Sequence, residues 1–313
     1  MLDILAITSP IYLIIALGFG LTRTGLFAKA DMRVFGKFVI NLALPALVFK
    51  ALSQRQFGEI VNTGYLLAYL VGSLTVLGLG YFWASRVRGL SPVTSTFYAM
   101  GMACANSGFV GYPILLLSLA PVSGVALALN MLVENLVVIP LLLVLAERGR
   151  GSSNPLHALA QSLAKLFKNP LFIALLAGMV VSLSGWKLPA PVAQTIAMFS
   201  AASGALSLFV IGGALVGLPL AGMGQRVWPI VLGKLLLHPL LVSLCILALP
   251  VLGVAPLPPE LRMAAVLMAA MPMMGIYATL AQAYGQEDFA AAATLLATAV
   301  SFFSISGLLW VLR

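Results

Sequence analysis

Long apolar runs alternate along the chain with short clusters of charge, proline and glycine, and each run has close to the ~20 residues that a helix needs to cross a bilayer. The pattern predicts ten spans, at roughly 4–22, 34–53, 62–85, 94–119 and 123–146, then 170–186, 192–217, 227–249, 262–284 and 289–312. Between the two sets lies a more polar stretch, Glu147 to Asn169, with Arg148, Arg150, His157, Lys165 and Lys168. The chain therefore divides into a first five-helix repeat (1–147), a connector (148–169) and a second five-helix repeat (170–313). Lys37 and Lys50 intrude on the ends of the second span, where long basic side chains can reach the headgroups.

Two spans cannot run undisturbed. The fourth contains Cys-Ala-Asn-Ser-Gly-Phe-Val-Gly-Tyr-Pro from Cys104 to Pro113, and a break is expected from Gly108 to Pro113. Proline removes a backbone donor, and hydrocarbon offers no replacement for the partners lost, so such a break needs cover from protein or a water-filled cavity. The ninth is broken around Met271 to Gly275, Met-Pro-Met-Met-Gly. Because each half holds an odd number of spans, any likeness between the halves is an inverted repeat. Interrupted helices at matching positions of two halves point to a transporter's midplane site, where half-helix amino ends can face an anion. The plainer alternative is that both prolines only kink their helices.

Composition narrows the class. Hydrophobic residues make up 62% and charged residues 8%, with a mean hydropathy of +1.10, which fits an all-α polytopic membrane protein and no soluble domain of this length. The net charge of +9 does not indicate nucleic acid, because the basic residues cluster in short loops and form no face or stripe. With the amino terminus outside, inner loops hold eleven basic residues, among them Arg23, Lys29, Arg86, Arg148 and Arg226, against five outside, Lys50, Arg55, Lys187, Arg262 and Arg313. Both termini are thus expected outside the cytoplasmic (inner) membrane. Cys104 and Cys245 lie in apolar spans and suggest neither a disulfide framework nor a metal site. Asp3 precedes the first span, which lacks a small-residue cleavage signal and reads as a retained helix.

The stretches Asn41 to Phe49 (Asn-Leu-Ala-Leu-Pro-Ala-Leu-Val-Phe) and Ala105 to Ile114 (Ala-Asn-Ser-Gly-Phe-Val-Gly-Tyr-Pro-Ile) resemble the auxin efflux carrier family, in particular bacterial members related to malonate and malate transporters. Length, span number and connector position agree across the chain. The resemblance implies two inverted five-helix repeats, as in bile-acid symporters and sodium/proton antiporters, with broken helices four and nine crossing. It also implies a scaffold of spans 1, 2, 6 and 7, a transport domain of spans 3–5 and 8–10, organic-anion substrates and a homodimer. Asn106 and Pro113 match the family's first crossing. At the second, Met271 stands where plant carriers have asparagine, so Pro272 alone carries over, a departure that argues against a plant-hormone substrate.

Polar groups at membrane depth complete the candidate site, each with two readings. Substrate contacts are expected from Asn106, Ser107, Gly108, Pro113, Pro272 and Met273, the last within a methionine-rich stretch that either forms an adaptable apolar wall or fills the core. Glu134 and Asn135 fall midway along the fifth span, where a carboxylate costs ~2.5–3.5 kcal/mol to insert. Glu134 either couples a proton or sodium ion or joins a static ion pair or a hydrogen bond to Asn130 or Asn106. Lys234 and His238 share a helix face at i, i+4. Lys234 balances a carboxylate substrate or Glu134, or it snorkels; His238 relays protons or packs. Asn41 and Pro45 form a hinge or a surface lining the cavity, or else a local repair in which the amide satisfies a carbonyl freed by the proline ring. Gly212 and Gly213, with Ser203 and Gly204, form a small-residue packing face.

No nucleophile elbow, His-Glu-x-x-His or phosphate-binding glycine-lysine loop is present. The expectation is a non-enzymatic secondary transporter of a small mono- or dicarboxylate, with no cofactor and H⁺ or Na⁺ as the coupling ion. The alternative is a membrane-embedded enzyme or sensor of a lipidic substrate. A passive channel would need a continuous polar stripe.

Overall fold

The computed structural model describes residues 2–151, 160, 164, 166–217 and 224–312. His157 and Lys165 of the connector, and Arg313, lie outside the described residues. The structure is 83% helical, and no strand occurs among the described residues. In chain order the helices are α1 (Leu2–Arg23), α2 (Lys29–Ser53), α3 (Thr63–Val87), α4 (Pro92–Ala103), α5 (Ser107–Ser118) and α6 (Ala120–Gly149). Then follow α7 (Pro170–Ser184), α8 (Ala190–Ala214), α9 (Arg226–Ala248), α10 (Pro259–Ala269), α11 (Tyr277–Gln282) and α12 (Glu287–Leu312). Helices α2, α3, α6, α8, α9 and α12 are each long and apolar enough to cross a membrane. Leu13, Leu244 and Phe303 remain exposed, an arrangement that suits lipid as the surrounding solvent.

The fourth and ninth apolar runs are each split in two, as expected, but the first split is displaced. The unwound residues are Cys104 to Asn106, whereas Ser107–Gly111 forms a π-helical turn that leads into α5. The break therefore does not lie at Gly108 to Pro113. The same device recurs at four prolines, whereas Pro10 and Pro229 stand inside helices without it. π-helical turns span Val39–Ala43 before Pro45, Ser107–Gly111 before Pro113, Glu134–Val138 before Pro140 and Gly233–Leu237 before Pro239. Each turn ends two residues ahead of its proline. The ring removes the donor and crowds the carbonyl four residues back, and a widened turn relieves the clash. In three cases the residue just before the proline donates five residues back: Leu44 to Val39, Ile139 to Glu134 and His238 to Gly233. Helicity survives these prolines, with a local bulge that re-aims the side chains around it.

Contacts divide the chain into two compact units. The first comprises Met1–Asn62, Ser107–Leu129 and Phe167–Gly217. Here α1 lies directly on α8: a Cβ at Gly18 would run into the Phe209 carbonyl, and one at Gly212 into the Ile15 carbonyl. Gly213 accommodates Met32 and Thr22, whereas Gly204 faces open space, so the packing face of this helix is carried by the Gly212–Gly213 pair. Gly178 of α7 seats against Leu52 and Phe49 of α2. Close backbone approach through small residues is how helices associate where no hydrophobic effect drives them together.

The second unit comprises Thr63–Asn106, Asn130–Leu166 and Leu218–Arg313. Gly72 of α3 lets the Val242 backbone of α9 approach, with its Cα 3.0 Å from where a Cβ would stand. Met102 of α4 fits between Gly80 of α3 and Gly233 of α9. Tyr277 at the start of α11 packs on Gly101 and donates its hydroxyl to the Phe97 carbonyl at 2.7 Å.

Candidate functional site

Within the second unit the two interrupted segments meet. The chain leaves α4 at Cys104 in an extended conformation (φ −89°, ψ 131°), and Ala105 forms an isolated antiparallel bridge with Met273. The Asn106 N–H donates to the Pro272 carbonyl at 2.8 Å. Backbone groups that neither half-helix can satisfy are thus paired with each other, which answers the obligation imposed by an apolar surrounding. The Ala105 N–H points elsewhere, to Glu134 Oε1 at 2.9 Å.

Three helices then contribute polar groups at four-residue spacing, so that each set lies on one face. Tyr65, Tyr69 and Ser73 come from α3, Asn130 and Glu134 from α6, and Lys234 and His238 from α9. They pair rung by rung. The Tyr65 hydroxyl donates to Asn130 Oδ1 at 2.7 Å, and the Tyr69 hydroxyl donates to Glu134 Oε1 at 3.1 Å. Ser73 Oγ lies 2.9 Å from His238 Nε2, and Lys234 Nζ donates to His238 Nδ1 at 2.8 Å. An ammonium can only donate, so His238 Nδ1 accepts and Nε2 carries the proton given to Ser73. Lys234 Nζ also donates to the Ala269 carbonyl at 2.9 Å, where α10 ends. This places a cation on the negative end of a half-helix and satisfies one of its orphan carbonyls. Lys234 is wholly buried and Glu134 is 5% exposed. The two do not touch directly but lie close enough to interact electrostatically.

Lys234 therefore does not snorkel. Its side chain turns inward to cap Ala269. Glu134 accepts from Tyr69 and the Ala105 amide, and Asn130 accepts from Tyr65. His238 is a hydrogen-bonded link between Ser73 and Lys234. Asn106 is 8% exposed, and its Nδ2 lies 4.0 Å from the position a Cβ on Gly275 would take. Pro272 and Met273 are buried at the bridge.

The remaining candidates make other contacts. The Asn135 amide donates to the Met131 carbonyl of its own helix at 2.9 Å. Asn41 is exposed, and its amide donates to the Lys37 carbonyl at 2.7 Å, a local repair beside the turn that precedes buried Pro45. Ser107, Gly108 and Pro113 belong to the first unit. Ser107 and Pro113 are buried there, and a Cβ on Gly108 would stand 3.1 Å from Leu44.

Tyr65, Tyr69 and Ser73 were not anticipated from the sequence. The signal was present: three hydroxyls four residues apart on one face of an apolar span, matched in spacing by Asn130–Glu134 and Lys234–His238. Among the described residues no group of three or more His, Cys, Asp or Glu side chains converges.

Comparison with known proteins accords with this architecture. Residues 4–311 match the family described as "Membrane transport protein". A "Putative malonate transporter" of Rhizobium meliloti (strain 1021) is 26% identical over 315 residues, covering 100% of this chain and 97% of the relative. The "Uncharacterized transporter YfdV" of Escherichia coli (strain K12) is 24% identical over 206 residues, 65% of this chain and 66% of its own. An "Uncharacterized transporter" of Methanothermobacter thermautotrophicus is 30% identical over 105 residues, 33% of this chain and 34% of the relative. The match over almost the whole length places the chain in the membrane transport protein (auxin efflux carrier) family.

Proposed function

We propose that the protein is a secondary active transporter that moves a small organic anion, a mono- or dicarboxylate, across the cytoplasmic membrane by alternating access. The observation that carries this reading is the meeting of two interrupted helices, Asn106 on Pro272, beside a buried cation that caps one of them. Ten spans in two inverted repeats, with both termini outside, would make those interruptions symmetric about the bilayer centre, the arrangement in which alternating-access carriers bind substrate. The grouping of α1, α2, α7 and α8 in one contact unit and of α3, α4 and α9–α12 in the other favours a scaffold and a transport domain, although α5 and the start of α6 group with the first unit and not with the transport domain that the resemblance implies. The name of the Rhizobium relative favours a short dicarboxylate.

The test is uptake of labelled malonate, malate and acetate into liposomes holding the purified protein, under imposed proton and sodium gradients. Saturable uptake of at least one carboxylate, lost in Asn106→Ala at unchanged expression, is the expected result. Uptake unaltered by Asn106→Ala would remove the interrupted helices from the substrate site, and absence of all carboxylate movement would overturn the reading.

A further inference from the structure

A second feature lies wholly in the first unit. A cavity of about 470 Å³ opens between the carboxyl end of α2, α5, the start of α6 and α8. This is the size range of small-molecule sites. Two cations line it, Lys50 and Arg55, with Gln54, Tyr112 and Ser200. Among the described residues no acidic side chain lines it.

The polar groups differ in what already occupies them. Arg55 is committed in part: its guanidinium donates to the Pro121 carbonyl, and its own carbonyl accepts from Ser182 at 2.6 Å, which fixes the α2 end against α6 and α7. The carbonyl of half-buried Lys50 accepts from Ser53, but its ammonium makes no hydrogen bond or ion pair among the described residues. Tyr112 is 8% exposed, yet among the described residues its hydroxyl has no hydrogen-bond partner. Tyr112 lines the cavity, and its hydroxyl is not among the polar atoms sealed from solvent, so it stands as an accessible donor there. An anion with several acceptor oxygens satisfies the ammonium and the hydroxyl together, and charge-assisted bonds of this kind are the strong ones.

We infer that this cavity is a capture site for a short dicarboxylate, with Lys50 and Tyr112 as its recognition groups and Arg55 as a fixed second cation. The inference rests on the transporter reading and adds to it a binding station distinct from Asn106. On the proposed topology the Lys50–Arg55 turn is outside, so the site serves anions arriving from that face. Two cations suit two carboxylates, so malonate binds there more tightly than acetate.

The experiment measures equilibrium binding of labelled malonate to the full-length protein in neutral phosphatidylcholine nanodiscs, alongside liposome uptake. Lys50→Gln and Tyr112→Phe are suitable variants because neither removes a side-chain hydrogen bond among the described residues. Lys50→Gln is expected to weaken malonate binding about tenfold, the effect of losing ~1.4 kcal/mol. Tyr112→Phe weakens it by a smaller factor, Lys50→Arg restores it, and Asn106→Ala stops uptake while binding persists. Malonate affinity equal to wild type in both Lys50→Gln and Tyr112→Phe overturns the site, even where the wild type transports. Malonate binding that depends on Lys50 in a protein that moves no carboxylate supports the site and defeats the transporter reading. Loss of malonate binding when anionic phosphatidylglycerol replaces the neutral lipid assigns the cavity to a phospholipid headgroup and overturns the proposal.

Discussion

Lys234 and Glu134 occupy positions where an isolated charge is expensive, and each is held by groups that few apolar helices could supply. Lys234 reaches the Ala269 carbonyl and His238; Glu134 reaches the Ala105 amide and Tyr69. Removing one of two buried opposite charges leaves the other uncompensated, at a cost of roughly 3–5 kcal/mol. Lys234→Met should therefore lower the melting temperature of the detergent-purified protein sharply. The double variant Glu134→Gln/Lys234→Met should recover part of that loss, with a coupling of at least ~1 kcal/mol. Strict additivity in the cycle would show that the two groups do not sense each other. Composition alone singles out both residues, because each stands alone in an apolar run. Their tyrosine partners are less legible, because Tyr65 and Tyr69 read as ordinary bulky residues until they are aligned with Asn130 and Glu134 four residues apart.

At the scale of the helix, the repeated device is a π turn ending two residues before a proline, and the turn before Pro140 begins at Glu134 itself. An alanine at 140 could donate to the Leu136 carbonyl and tighten the turn, and each residue removed from a bulge rotates the flanking helix by about 100°. Glu134 and Asn130 would swing off Tyr69 and Tyr65 together. Pro140→Ala is thus expected to slow carboxylate uptake at least about tenfold while circular dichroism reports unchanged helicity. Normal uptake in that variant would mean that the proline does not hold the bulge. The spans, their approximate ends and the existence of two interruptions are legible in apolar run length and proline placement. The displacement of the first interruption to Cys104–Asn106 is not, because it is decided by pairing with Pro272 and Met273, some 170 residues away in the chain. Periodicity carries no information about such a partner.

Across the whole molecule, each unit is locked internally by glycines that meet backbone, so Gly212→Val should reduce the yield of folded protein: overpacking costs ~1–3 kcal/mol, and the Ile15 carbonyl cannot rotate away as a side chain could. Monodisperse protein at wild-type yield on size exclusion would contradict that packing. Transport adds a thermodynamic requirement that no single unit satisfies. Moving an anion against its gradient needs a coupled downhill flux, and the carboxylate buried beside the helix interruption is the group proposed to carry a driving cation. One coupled proton converts a one-unit pH gradient into ~1.4 kcal/mol, enough for tenfold accumulation. Sodium coupling has the same arithmetic for a tenfold sodium gradient. Glu134→Gln preserves an oxygen that can accept from Ala105 and Tyr69, so the fold should persist while the exchangeable charge is gone. The wild type should then accumulate its carboxylate under an imposed proton or sodium gradient, whereas Glu134→Gln should only equilibrate it, at comparable exchange rates. Equal accumulation by both proteins would take the coupling role away from Glu134 and leave it as a structural acceptor for the unwound segment of the fourth span.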